Sequence, residues 1–287
     1  MMDVMKIGIV GTGTMGSGIA QNVLSNGYNV ILIGHKEGDL KTCLEKLNLG
    51  FDKAIAKGSI TKDQKALFLN NLGISSNYED LKDADLVIEA VTEDTEVKKG
   101  VILNIEKRVS EDTIIATNTS SISITVLASL IDKPERFLGI HFFNPASVMK
   151  VVELVKGEKT SDEALNRARI FAKNLGKVVV DVKDSPGFVS NRILMLFINE
   201  SIHILEEGIA TKEGIDTVAK LGFNHPMGPL ELADFIGLDV CKDIMEAIRR
   251  QGKDERFKPA ELLEKLVNEG NNGKKTGKGF YEYKKQK

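Results

Sequence analysis

A chain of 287 residues with 42% hydrophobic and 28% charged side chains is long for a single core, suggests two domains, and has the ordinary make-up of a folded, soluble protein. A net charge of -2, with no basic stripe interleaved with aromatics, gives no reason to expect a nucleic-acid surface, and the apolar run at residues 193–198 is far too short to cross a membrane. Two cysteines, Cys43 and Cys241, cannot build a disulfide framework, and the four histidines, His35, His141, His203 and His225, lie too far apart for a metal motif.

Residues 5–10 read as a buried strand, beginning so early that no room is left for a signal peptide, and a cytoplasmic protein is expected. Gly11-Thr12-Gly13-Thr14-Met15-Gly16 follows at once and opens a helical pattern, Ile19, Ala20, Val23 and Leu24, that stops at Gly27. A second strand is expected at residues 29–33. Strand, GxGxxG, helix and strand within about thirty residues is the context that marks a dinucleotide site. Gly11 allows the tight turn, Gly13 lets backbone approach the pyrophosphate, and Gly16 lets the helix pack on the strand; Thr14 and Met15 complete the cofactor-binding loop.

An NAD site is expected to carry an acid at the end of its second strand, where it holds the adenosine ribose hydroxyls. Here the strand ends Ile33-Gly34-His35-Lys36. A carboxylate repels a 2'-phosphate, whereas glycine makes room for it and His35 or Lys36 can pair with it. The pattern therefore predicts NADP(H) in preference to NAD(H), unless Glu37 or Asp39 takes the place of the acid.

Residues 39–57 form the next helix and carry Lys53 and Lys57 one turn apart, a pair that by itself reads as a solvated face. Thr61 and Gln64 make a capping box for a helix reaching about Leu72. Strands are expected at residues 85–90 and 113–117, the first followed by Glu93 and a helix holding Lys98, the second by Asn118-Thr119-Ser120-Ser121 and a helix from about Ile122. Two more strands fall at residues 137–141 and 151–155, then a helix at 161–175 and a strand at 177–182.

The polar outliers, namely the glycine loop, Gly34-His35, Glu93, residues 118–120 and residues 141–144, all follow predicted strands, so in an open sheet they meet in one crevice. One of them stands out. Period-2 geometry puts Val151, Glu153 and Val155 on one strand face, where a carboxylate needs a partner, and His141 lies twelve positions away across a loop containing Pro145. A histidine oriented by a carboxylate is a general acid or base near neutral pH. The blander reading is a satisfied core histidine and a glutamate facing water.

Beyond residue 185 the alternation stops. A long helix begins at Pro186 and runs to about Glu207, its segment 193–198 apolar all round and expected to be buried on every side, partly against another subunit. Helices follow at 211–220, 228–250 and 259–268. Asn191 falls in the first turn of the leading helix, where taken alone it reads as a packing or surface amide. The fold class expected is α/β, an N-terminal Rossmann-type doubly wound, mostly parallel sheet (residues 1–185) followed by an all-helical domain for substrate binding and dimerisation (186–287).

The segments GTGTMGSGIAQ, NTSSISIT, HFFNPASVMKVVELV, PGFVSNRI, NHPMGPLELADFIGLD and GKKTGKGFYEY together resemble the 3-hydroxyacyl-CoA dehydrogenases, most closely the short bacterial 3-hydroxybutyryl-CoA dehydrogenases, over nearly the whole chain. The resemblance implies that His141 is the catalytic base, Glu153 its partner, and Ser120 and Asn191 the groups on the substrate oxygen. It assigns Glu93, Lys98, Asn144 and Lys275 to the cofactor, and Lys53 and Lys57 to the coenzyme A phosphates. It also implies a homodimer. Gly34 departs from the family, which usually has aspartate there. The activity expected is reversible hydride transfer between NADP(H) and acetoacetyl-CoA/3-hydroxybutyryl-CoA, running physiologically toward reduction. The rivals are an NAD-dependent 3-hydroxyacyl-CoA dehydrogenase of fatty-acid β-oxidation, a dehydrogenase of free hydroxy acids, and a non-catalytic dinucleotide-binding module.

Overall fold

The computed structural model describes residues 5–283, and the chain divides into two compact units, one ending at Asp184 and the other starting at Ser185. The first unit opens with β1 (Lys6–Val10), α1 (Thr14–Ser25) and β2 (Asn29–Ile33). It continues with α2 (Glu37–Ala56), α3 (Lys62–Asn70), β3 (Leu72–Ser75), β4 (Leu86–Glu89) and α4 (Thr95–Glu106). Then come β5 (Ile114–Thr117), α5 (Ile124–Ala128), β6 (Phe137–Phe142), β7 (Val151–Lys156), α6 (Asp162–Asn174) and β8 (Val178–Lys183).

The eight strands form one sheet in the order β3-β2-β1-β4-β5-β6-β7-β8. Its inner strands are apolar almost without interruption because both faces are covered, which is why they read as runs rather than alternations. Every neighbouring pair is parallel except β6 and β7. The strand order reverses beside β1, so the carboxyl ends of β1, β2 and β4 open on the side where ligands bind in such sheets. On one face Ile19, Val23 and Leu24 of α1, Leu47 and Phe51 of α2 and Phe171 of α6 pack with Ile7, Ile9 and Leu32 of the sheet. Each such side chain contributes roughly 1.5–3 kcal/mol by leaving water.

Local signals set several helix starts. Thr61 Oγ1 accepts the Gln64 N–H at 3.1 Å while Gln64 Oε1 accepts the Thr61 N–H at 2.8 Å, the reciprocal capping box expected. The short strand β3 departs from expectation, since the helix before it stops at Asn70 and Leu72-Gly73-Ile74-Ser75 pairs with β2. Four residues containing a glycine carry too little periodicity to announce a strand. Likewise α5 starts at Ile124, capped by the Ser123 hydroxyl, rather than near Ile122.

The second unit holds α7 (Ser190–Glu206), α8 (Lys212–Thr217), α9 (Pro229–Ile236), α10 (Leu238–Gly252) and α11 (Glu261–Asn268). Pro186 does not begin α7, because Gly187 and Phe188 adopt positive φ of 75° and 50° and the helix forms only after that turn. The expected helix over 228–250 is two helices, broken at Gly237, whose φ of 109° lies outside helical space. The segment 193–198 is not buried on every side: Met195 and Ile198 are, but Ile193 is 66% exposed. Two buried aspartates tie the unit together. Asp216 accepts the N–H groups of Leu230 and Glu231 at the start of α9 and the Tyr281 hydroxyl. Asp234 accepts the N–H groups of Phe280 and Tyr281 and the Tyr283 hydroxyl, fastening the terminal GKGFYEY segment.

Candidate active site

The glycine loop is fixed by backbone. The Gly11 N–H donates to Ile33 O at 2.9 Å, and at φ 122° a Cβ on Gly11 would stand 2.4 Å from Ala90 O. A Cβ on Gly16 would stand 1.9 Å from Gly11 O, so helix and turn touch only because Gly16 lacks a side chain. Around Gly13 the opposite holds, with nothing within 4 Å of a built Cβ. Thr14, Met15 and Gly16 begin α1 with no side chain capping it. Open space over Gly13 and an uncapped helix start together fit the pyrophosphate of a dinucleotide.

Gly34 behaves otherwise than its sequence implies. It follows β2 directly, with its N–H on Ser75 O at 3.0 Å, but a Cβ there would lie 2.6 Å from Leu40 Cδ2 and 2.8 Å from Thr12 Cγ2. The glycine does not make room for a ligand group; two methyls already fill the place where a side chain would begin. His35 and Lys36 beyond it are exposed, as are Glu37 and Asp39.

At the ends of β4 and β5 an ionic chain runs from buried Glu89 and Lys98 out to exposed Glu93. Lys98, 1% exposed, bonds both oxygens of Glu89, itself fully buried, at 2.9 and 3.1 Å, and its ammonium lies 3.3 Å from Glu93 Oε2. Glu89 also accepts the Val91 N–H and the Thr117 hydroxyl. The other oxygen of Glu93 accepts the Thr119 hydroxyl at 2.5 Å and the N–H groups of Ser120 and Ser121 at 2.8 and 3.0 Å. Burial works to raise the Glu93 pKa, but the Lys98 charge and the hydrogen bonds from Thr119, Ser120 and Ser121 outweigh it and hold the carboxyl below its ordinary value. Ser120 thus has its backbone gathered onto Glu93, and the hydroxyl that caps α5 belongs to Ser123.

His141 and Glu153 are direct partners in the antiparallel register of β6 and β7. Nδ1 of His141 lies 2.7 Å from Glu153 Oε2, the residues 8% and 2% exposed. An ionised carboxylate can only accept, so opposite one it is Nδ1 that carries the ring proton, the tautomer in which Nε2 can act as a base. The strand end is held by neighbours. Asn118 Oδ1 accepts the Phe142 N–H at 2.9 Å, and the Phe143 ring lies 4.9 Å from the imidazole. Buried Lys177 donates to Ala146 O and Met149 O at 2.7 and 2.8 Å, fixing the connection on which exposed Asn144 stands.

The remaining sequence-derived residues are spread more widely. Lys53 is exposed on the last turn of α2 and exposed Lys57 caps that helix. Asn191 and Lys275 belong to the helical unit, Asn191 in the first turn of α7 and Lys275 ion-paired to Asp239 at 2.6 Å. Sequence reasoning missed Glu89, Asn118 as a strand-end clamp, and Lys177. Glu89, an acid at the close of an apolar strand, carried the same signal that singled out Glu153. No group of metal-ligating side chains occurs among the described residues, nor does any helix there long and apolar enough to cross a membrane.

A mostly parallel sheet with a glycine loop at one strand end and a buried His–Glu pair at another defines a dinucleotide-binding oxidoreductase of the doubly wound class. The chain matches the model of the 3-hydroxyacyl-CoA dehydrogenase NAD binding domain over residues 6–185 and that of the 3-hydroxyacyl-CoA dehydrogenase C-terminal domain over residues 187–283. It belongs to the 3-hydroxyacyl-CoA dehydrogenase family, whose members are oxidoreductases acting on a CH–OH group with a nicotinamide dinucleotide. It is 46% identical over 281 residues to the 3-hydroxybutyryl-CoA dehydrogenase of Clostridioides difficile, covering 98% of this chain and 100% of the relative. A probable 3-hydroxybutyryl-CoA dehydrogenase of Bacillus subtilis is 41% identical over 99% of both chains. The crystal structure of (S)-3-hydroxybutyryl-CoA dehydrogenase from Ralstonia eutropha superposes with a TM-score of 0.96 at 44% identity, covering 99% of this chain and 100% of that one.

Proposed function

We propose that the protein is a 3-hydroxybutyryl-CoA dehydrogenase working with NADP(H) in preference to NAD(H), and that its usual direction is reduction of acetoacetyl-CoA. The observation that carries the chemistry is the 2.7 Å contact between His141 Nδ1 and Glu153 Oε2, made by two buried residues directly opposed across a strand pair. In oxidation Nε2 of neutral His141 takes the proton of the 3-hydroxyl; in reduction the imidazolium returns it to the oxygen at C3. Glu153 keeps the proton on Nδ1 and balances the imidazolium charge. The loop of Gly11, Gly13 and Gly16 would hold a dinucleotide, which would supply hydride exchange with C3.

The remaining roles follow the family resemblance. Ser120 and Asn191 hold the substrate oxygen; Glu93, Lys98, Asn144 and Lys275 serve the cofactor, with the glycine loop at its pyrophosphate; Lys53 and Lys57 meet the coenzyme A phosphates. The preference for NADP(H) is supported by the missing acid at position 34 and by His35 and Lys36, exposed just beyond it. A homodimer is supported by the large apolar side chains that the helical unit leaves exposed, among them Ile209, Leu221 and Phe223.

Turnover of acetoacetyl-CoA with NADPH and with NADH, alongside free acetoacetate as competitor, tests the whole reading. Greater kcat/KM with NADPH and no competition by the free acid are expected. A larger kcat/KM with NADH would instead give the ribose to Glu37 or Asp39, the acids in the first turn of α2.

A further inference from the structure

We infer that Leu40 and Thr12 form an apolar plug at the end of β2, and that this plug, more than the glycine itself, decides which adenosine ribose the site accepts. The inference builds on the cofactor reading above. An ideal Cβ on Gly34 would meet Leu40 Cδ2 at 2.6 Å, Leu40 Cγ at 2.9 Å and Thr12 Cγ2 at 2.8 Å, all closer than real Cβ atoms approach. Leu40 reaches this place from the first turn and a half of α2, and Thr12 from the glycine loop. The backbone between them cannot retreat. The Gly34 N–H is tied to Ser75 O at 3.0 Å and the preceding Ile33 O accepts the Gly11 N–H at 2.9 Å, which binds β2 both to β3 and to the loop.

Selection against an acid is therefore built into three residues. An aspartate at 34 requires the ends of the Leu40 and Thr12 side chains to shift before its carboxylate takes the position from which a ribose 2'-hydroxyl is held. Left as it is, the place beside Gly34 presents that hydroxyl with two methyls. An unanswered polar group is how a pocket rejects a ligand most strongly. The charged groups available to the ribose substituent start only at His35, past the plug.

The test uses the full chain in four forms: wild type, Gly34→Asp, Leu40→Ala, and Gly34→Asp/Leu40→Ala, with kcat/KM measured for NADH and NADPH and thermal unfolding as a check on folding. Gly34→Asp alone is expected to lose about tenfold with both cofactors, while the double variant regains NADH efficiency but not NADPH, moving the NADH/NADPH ratio by about tenfold or more from that of Leu40→Ala. Adding Thr12→Ser, which removes only the remaining methyl, is expected to move the ratio further the same way. If Gly34→Asp by itself raises NADH efficiency as much as the double variant does, there is no plug. The ratio within one protein is insensitive to partial misfolding. A wild type that favours NADH would overturn the NADP(H) reading and leave the comparison of single and double variants to judge the plug separately.

Discussion

At the residue scale the proposed chemistry rests on one imidazole, His141, and the carboxylate of Glu153 that pairs with its Nδ1. Removing the base in His141→Ala is expected to lower kcat by about 10²- to 10⁴-fold with the KM for cofactor little changed. Glu153→Gln keeps the shape but not the acceptor pair, and is expected to fall in the same range because the ring loses its fixed tautomer. Steady-state kinetics on both variants checks this, and unchanged turnover in His141→Ala removes that residue from the mechanism. Glu93 offers a second prediction, in pH. Its carboxyl is held below the ordinary value in the folded protein, so its charged form stabilises the fold above the unfolded pKa, and that contribution fades as pH falls through the lowered one. The stability advantage of wild type over Glu93→Gln, measured by urea unfolding, is expected to stay level from neutrality down to the usual glutamate range and to shrink only below it. A difference independent of pH would show that the carboxylate is not what gathers residues 119–121.

At the scale of elements, what matters is how strand ends are held. The connection between β6 and β7 carries Asn144 and is held both by its own turn, where Pro145 O accepts the N–H groups of Val148 and Met149, and by Lys177, whose ammonium is buried against two carbonyls at 2.7 and 2.8 Å. Burial pushes the pKa of that lysine down, the ordinary cost of placing a charge there. Lys177→Met keeps the apolar stem and removes the donor. It is expected to cost about 2 kcal/mol, read as a drop in the midpoint of thermal or urea unfolding, and to raise the KM for cofactor more than it lowers kcat. A stability equal to wild type would mean the two carbonyls find other donors. The glycine loop is held differently, by close approach: Gly16 and Gly11 meet at a distance no side chain tolerates, so their spacing is a packing requirement as much as a ligand-binding one.

At the scale of the whole molecule, the helical unit has a continuous core around Met195, Ile198, Leu230, Met245 and Leu263, yet leaves Leu221 83% and Phe223 61% exposed. On the reading that a second copy covers this surface, light scattering coupled to size exclusion is expected to report a dimer, and Leu221→Glu/Phe223→Glu a monomer with its helical content kept. A monomeric wild type would remove the dimer. The alternation of strands and helices to residue 184 and its end beyond it were legible in the sequence, because a buried parallel strand is an apolar run and an amphipathic helix a 3.6-residue period, both written within a dozen residues. So was the pairing of His141 with Glu153, since a carboxylate among valines demands a partner and two neighbouring strands supply one. Tertiary structure alone decided the rest. That Glu89 would claim Lys98, that Leu40 and Thr12 would fill the place beside Gly34, that Gly237 would split one helix into two and that α7 would turn Ile193 outward all depend on which distant side chains meet. Neither period nor propensity carries that information, because it arises only when separate elements are packed to near crystal density and each volume can be filled once.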